Sequence, residues 1–468
     1  MKKTKLKISL ILYLFFQIHS LHPAEAVRIG NYKCSANIMV ERAYDDNVLL
    51  TKHYREGSYV STISPSISLM RPGKKMTVSA DYHANLVFYD IYDNQNQRDH
   101  SGTWSIETKP INQLSIGVRG QDTYSSMKSD ERQPLLAGNT IKFNDFSITP
   151  YIEQKIGKRL KAAFSYTFTE RKNKQEDENL EGSKTYSGTA DLQYKLNSSV
   201  SIDGGYKYAF NNFTEITSDS TEQETNVGFT WNMKPKIRLS GKYGHAWEVD
   251  ESGQRNSRPI ISSTVDINPG KSTMATATYT ESSSHSSSHD AQNATFISHD
   301  ASFTVRHDLL SRKVTVNYGG AYNLSDYDSV DREDKSYSGT VHIDWAMFNS
   351  VLLFLNGNYR RSWYTYDLEQ RRDKSYGGGG GLELKVSKFT ALSLSGNYTK
   401  SQYQPDSYQV ELYDGSVKLV RFFSKNIIFE VGYQCMESGS KDQELQNHEE
   451  DRSNYLRKRY SAGLRTTF

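Results

Sequence analysis

A seven-residue pattern recurs along the chain and leaves few folds open to it. In Leu392-Ser393-Leu394-Ser395-Gly396-Asn397-Tyr398 the first and third positions are apolar, the fifth is small and the seventh is Tyr, with Ser, Ser and Asn between. A backbone of period two sends these two sets to opposite faces. An apolar face that ends in an aromatic is what a strand needs where it leaves lipid for the headgroups. Copies run over Met76–Tyr82, Leu160–Tyr166, Val200–Tyr206, Ile237–Tyr243, Leu353–Tyr359 and Ile427–Tyr433, with looser ones over Thr273–Tyr279, Leu114–Gly120 and Val314–Gly320. A spacing of roughly 40 residues is one β-hairpin per repeat.

Composition supports a membrane barrel over a soluble domain. Hydrophobic residues are 36% of 468, while Tyr reaches 32 and Phe 19 against 10 Pro. A soluble domain of this length needs a larger apolar core. A transmembrane barrel needs only a thin outward band and rings of aromatics, so it reads as polar on average.

Residues 1–26 read as a signal peptide and 27–468 as one barrel domain. Lys2, Lys3, Lys5 and Lys7 precede the apolar run Ile8–Ile18, and Ala24-Glu25-Ala26 offers a small-x-small cleavage site. Removing them takes Lys+Arg from 57 to 53 and Asp+Glu from 54 to 53, four Lys and one Glu being lost, so the mature chain is neutral. Nucleic-acid binding has no electrostatic support there. No later stretch is apolar for the ~18 residues that a spanning helix requires. Cys34 and Cys435 are the two cysteines; neither a lipobox nor a bridge between opposite barrel ends fits them, and two free thiols are expected.

Short connections alternate with long polar ones. Arg71-Pro72-Gly73, Asn197-Ser198, Asn268-Pro269-Gly270, Leu310-Ser311 and Ser424-Lys425 carry turn residues. Asn94–His100, Lys172–Ser183, Ser282–Asp290 and Glu437–Arg452 read as loops. This is the pattern of outer-membrane barrels, with the short turns and both termini in the periplasm. The expected fold is all-β, a transmembrane antiparallel barrel of about 22 strands. Pro65 interrupts the candidate strand Tyr59–Met70, and if that first pair fails about 20 strands remain. The last strand alternates from Tyr460 through Leu464 to a terminal Phe468, resembling the signal read by the outer-membrane barrel assembly machinery.

The returning strands lead with Tyr. In one, Tyr337, Gly339, Val341, Ile343 and Trp345 face outward and Ser338, Thr340, His342 and Asp344 inward. The same register turns Asp81, Asp203 and Glu430 into the lumen with Arg119, Lys161, Lys207, Arg238, Lys242 and Arg360, beside Asn356 and Asn358. A single-sign ring would select ions; mixed charge implies a wet, weakly selective lumen.

Tyr44-Asp45-Asp46-Asn47-Val48, Ile63-Ser64-Pro65-Ser66-Ile67-Ser68-Leu69, Val78-Ser79-Ala80-Asp81-Tyr82 and Phe88-Tyr89 follow in an order that resembles the putative β-barrel porin 2 family, which includes EpsL-type proteins of exopolysaccharide operons. The resemblance implies an outer-membrane barrel encoded beside genes for polysaccharide synthesis and export. The expected function is a porin-like conduit for exopolysaccharide or saccharide. The alternative is a non-conducting sheath or scaffold around a periplasmic partner protein of a secretion or electron-transfer complex. Other expected partners are outer-membrane lipid and lipopolysaccharide.

Enzyme chemistry finds no motif: there is no G-x-S-x-G, H-E-x-x-H or phosphate loop, and no C-x-x-C-H for covalent haem. His285 and His289 are spaced for a metal, but a polar Ser-rich loop explains them, as solvation explains Glu176, Asp177, Glu178 and Glu181. No cofactor is expected. Gly377–Gly381 have no following helix to make a dinucleotide site and mark a close approach or bend of the wall.

Overall fold

Period-two alternation is realised as strands along almost the whole chain. The computed structural model describes residues 27–467 except 49, 51–54, 93–95, 129–139, 174–181, 214–218, 235, 251–252, 254, 271, 287–293, 328–331, 367–368, 405–407 and 442–454. A three-residue strand, β1 (Val27–Ile29), pairs with the start of β2 (Tyr32–Asp45). From β2 to β23 (Tyr455–Thr467), 22 strands each lie antiparallel to their sequence neighbours. The last pairs with the first of them, from Asn37 opposite Thr467 to Asp45 opposite Arg459, and this closes the sheet. Closure leaves no free edge, which a spanning sheet in lipid requires. The beginning of β2 and the end of β23 both lie at the end of the barrel that carries the short turns. No described helix is long and apolar enough to cross a membrane.

The strand count is 22, so the 20-strand alternative falls. Pro65 lies inside β3 (Ser58–Arg71) opposite Ile38 of β2. On its other side the ladder to β4 (Met76–Tyr89) runs to Ile63 and resumes at Ser66. Proline brings no N–H, and the sheet omits pairings at that point instead of breaking the strand.

Turn chemistry follows the sequence. The Asn197 side chain accepts from the backbone N–H groups of Ser199 and Val200 at 2.7 and 2.8 Å. Gly157 takes a φ of +67°. Leu310, Ser311 and Arg312 also take positive φ, at 48°, 56° and 70°, making a left-handed turn out of residues that disfavour it. Several hairpins carry a register shift beside the short turn, as at Thr108/Ile111, Ala346/Phe348 and Lys385/Ser387. The strands run further into the connections than the sequence implies. Residues Glu437–Lys441 belong to β22 (Ile427–Lys441), and Ser282–Ser286 to β14 (Thr273–Ser286).

The two faces differ in chemistry. Away from the short turns, exposed large apolar side chains share one parity on a strand: Phe164 and Tyr166, Leu192 and Tyr194, Val227, Phe229 and Trp231, or Tyr337, Val341 and Trp345. This is the lipid face, and the opposite parity lines the lumen. Tyrosines meet on the lipid face as direct cross-strand pairs near the loop end. Tyr44 and Tyr59 have ring centroids 5.2 Å apart, Tyr398 and Tyr413 4.8 Å, Tyr433 and Tyr460 5.0 Å. Phe146, Phe168, Tyr186 and Phe210 continue the belt at 6.4, 5.1 and 6.4 Å. A second belt near the short turns includes Trp231, Trp345, Phe348, Phe389 and Phe422. Tyr337 to Trp345 is eight residues, about 27 Å along the strand, or roughly 20 Å along the membrane normal after tilt.

Candidate functional site: the lumen wall and its seam

Polar side chains of the inner face are held by cross-strand partners. Lys207 of β10 (Val200–Phe213) reaches Glu222 at 2.9 Å, and Lys242 of β12 (Ile237–Asp250) reaches Glu224 at 3.2 Å; both glutamates stand on β11 (Ser220–Lys234). Lys161 pairs with Glu153 at 2.9 Å and Arg171 with Asp145 at 2.6 Å. Arg119 lies 4.9 Å over the ring of Tyr151, whose hydroxyl donates to Glu107 at 3.2 Å. Glu430 is 9% exposed, and both Lys418 and Arg465 bond to it, the latter at 3.3 Å. Asp203 covers Gly228, where an added methyl would come within 2.5 Å of its carboxylate.

Other inner-face residues stand apart. Asp81 is exposed between Ser68 and Thr103. Arg238 is opposite Asp266, and Arg360 opposite Ser338 and Ser375. No constellation of nucleophile, base and acid forms from these residues. Among the described residues no group of three metal-ligating side chains gathers. His285 is in β14, while His289 and Glu176, Asp177, Glu178 and Glu181 are outside the described residues. Tyr460 and Leu464 share the lipid parity of β23; Phe468 is outside the described residues. Cys34 and Cys435 are free thiols on strands at different places in the wall.

The glycine run Gly377–Gly381 lies within β19 (Glu369–Ser387). A methyl at Gly379 would collide with the Asn397 amide, and one at Gly381 with the Phe354 ring. Inner-face side chains of both neighbouring strands lie across this strand, so the lumen wall there is built by its neighbours.

The strongest polar cluster is at the seam, and it escaped the sequence reading. Asp45, 0% exposed, receives Arg457 Nε at 2.8 Å, and Glu41 receives Arg459 at 2.6 Å, joining β2 to β23. Asn47 is fully buried and donates to the Leu456 carbonyl at 3.1 Å, while the Asp46 N–H donates to the Lys458 carbonyl at 3.1 Å. The signal was there as acids at positions 41 and 45 and arginines at 457, 459 and 465, each set on one parity of a terminal strand. Only closure shows that they meet.

A closed antiparallel barrel of 22 strands is the fold on which the comparisons with known proteins bear. The family model described as putative beta-barrel porin 2 matches residues 254–367. That stretch spans β13 (Arg255–Gly270) to β18 (Val351–Tyr366), not the first strands whose residues carried the resemblance. Among solved structures, the siderophore receptor PirA from Acinetobacter baumannii superposes with a TM-score of 0.65 at 8% identity, covering 94% of this chain and 81% of that one. PirA from Pseudomonas aeruginosa gives 0.60 at 11%, covering 93% and 80%. The FrpB iron transporter from Neisseria meningitidis gives 0.62 at 9%, covering 95% and 82%. At such identity the likeness is one of fold. No curated protein matches the chain. The porin family match and the shared barrel place the protein in the bacterial outer membrane.

Proposed function

We propose that the barrel is a passive, non-enzymatic conduit for polar solutes of little net charge, saccharides foremost. The observation that carries this reading is the charge arrangement of the inner wall. Cations and carboxylates are paired across neighbouring strands instead of being segregated into rings of one sign. Such a wall is wet and hydrogen-bonding yet has weak preference for ions of either sign. The described elements form the wall and none crosses the lumen. Barrels of this strand number enclose a lumen wide enough for solutes larger than a monosaccharide. The siderophore receptors among the structural neighbours share a fold with this chain and lend it no ligand.

The test is conductance of the refolded mature chain in a planar bilayer. Large steps with a reversal potential near zero in a salt gradient, reduced by added oligosaccharide, are expected. Repeated insertion without current would sink the open conduit. The barrel would then be the sheath of a partner, to be sought by co-purification.

A further inference from the structure

One row on the lipid face has a chemistry that the lumen does not explain. On four consecutive strands the residue two positions loop-side of a girdle tyrosine is a cation. These are Lys335 beside Tyr337, Arg361 beside Tyr359, Lys374 beside Tyr376 and Lys400 beside Tyr398. Two residues along a strand is about 7 Å, which sets the row at headgroup level. The outer two have carboxylate partners, Lys335 with Glu333 at 2.6 Å and Lys400 with Glu411 at 2.9 Å. The inner two do not: Arg361 and Lys374 are exposed, face each other directly across the β18–β19 ladder, and pair with no described carboxylate. Like charges opposite one another destabilise a sheet unless an anion joins them. Aromatic rings fix both in place. Arg361 lies 4.6 Å over Trp363, which meets Tyr337 edge-on at 4.6 Å, and the Lys374 ammonium lies 5.4 Å from the Tyr376 ring.

We infer that Arg361 and Lys374 form a binding site for the phosphate of a phosphorylated glycolipid of the outer leaflet. Arg361 offers a planar fork of donors and Lys374 a point charge, while the girdle rings pack against the upper acyl chains. The site is on the outside of the wall, so it stands whether or not the lumen conducts.

Detergent-stripped barrel is mixed with vesicles containing diphosphorylated lipid A or its dephosphorylated form, and bound lipid is quantified by native mass spectrometry. Preference for the phosphorylated lipid is expected. With each cation near an anionic surface contributing about a factor of five, R361Q/K374Q should bind about 30-fold less of it. Arg361→Lys with Lys374→Arg keeps both charges and should retain binding. Arg360→Gln removes the neighbouring charge that faces the lumen and should leave lipid binding unchanged. The variants are compared only as heat-modifiable, folded bands. Equal binding of the two lipids, an R361Q/K374Q barrel that binds as the parent does, or an Arg360→Gln barrel that loses as much would overturn the site.

Discussion

Asp45 and Arg457 are 412 positions apart in sequence and bonded in the structure. The carboxylate is completely buried, the guanidinium largely so, and together they join the first full strand of the barrel to the last. Glu41 and Arg459 repeat the contact two to four residues nearer the short turns, but more exposed to the lumen. Closure therefore rests on a backbone ladder reinforced by one buried and one wetter ion pair.

Burial decides what each pair contributes. Arg457→Met leaves the Asp45 carboxylate buried without its counter-charge, held only by the Asn47 backbone N–H at 3.2 Å, a change that costs about 3 kcal/mol. Glu41→Gln removes a lumen-exposed pair, and the loss should stay below about 1 kcal/mol. Urea titration of the refolded barrel in detergent, followed by gel heat-modifiability, reads both. Similar midpoints for the two variants would show that the seam is held by the ladder alone. The double variant D45N/R457M should recover much of the loss, because no charge is then left buried.

Glycines in the wall separate into two kinds. A methyl at Gly381 would press on the Phe354 ring and the Leu394 carbonyl, whereas one at Gly188 would meet nothing within 4 Å. Gly381→Ala should destabilise by about 1–3 kcal/mol through overpacking. Gly188→Ala should be neutral or stabilise by up to about 1 kcal/mol, since the unfolded chain loses freedom. The same urea midpoints check the pair, and a fall at Gly188 as large as that at Gly381 would contradict the packing found around β19.

The fold was legible in the sequence because its physics is local. Alternation, a Tyr at the end of the apolar set and Pro, Gly or Asn at short turns each act within ten residues, as in Leu392–Tyr398 and around Asn197. Strand ends were less legible: Glu437–Lys441 is polar enough to pass for a loop, yet its backbone pairs with β21 (Tyr408–Phe422). Pro65 left the count open because nothing local tells whether its neighbour can forgo the ladder bond. The lumen parity of Lys207, Lys242 and Glu430 follows from counting by two, but their partners come from other strands whose register the sequence does not print. The Asp45–Arg457 bond and the Arg361–Lys374 opposition belong to the same class.

Glu430 offers the sharpest reading of the lumen. It sits between Lys418 and Arg465 on the inner wall, almost wholly buried, and is the shared acceptor of both cations. Glu430→Gln keeps shape and removes the one negative charge, leaving two cations facing the lumen. If ions pass this wall, the reversal potential in a salt gradient should move toward that of the anion, and the shift should shrink as salt rises and screening shortens. Lys418→Gln, which leaves a matched Glu430–Arg465 pair, should move it little. Arg238→Gln removes a cation opposite Asp266 and should tilt selectivity the other way. A conducting barrel whose selectivity ignores all three substitutions would mean that ions follow a path away from this part of the wall, and the paired charges there would then be structural.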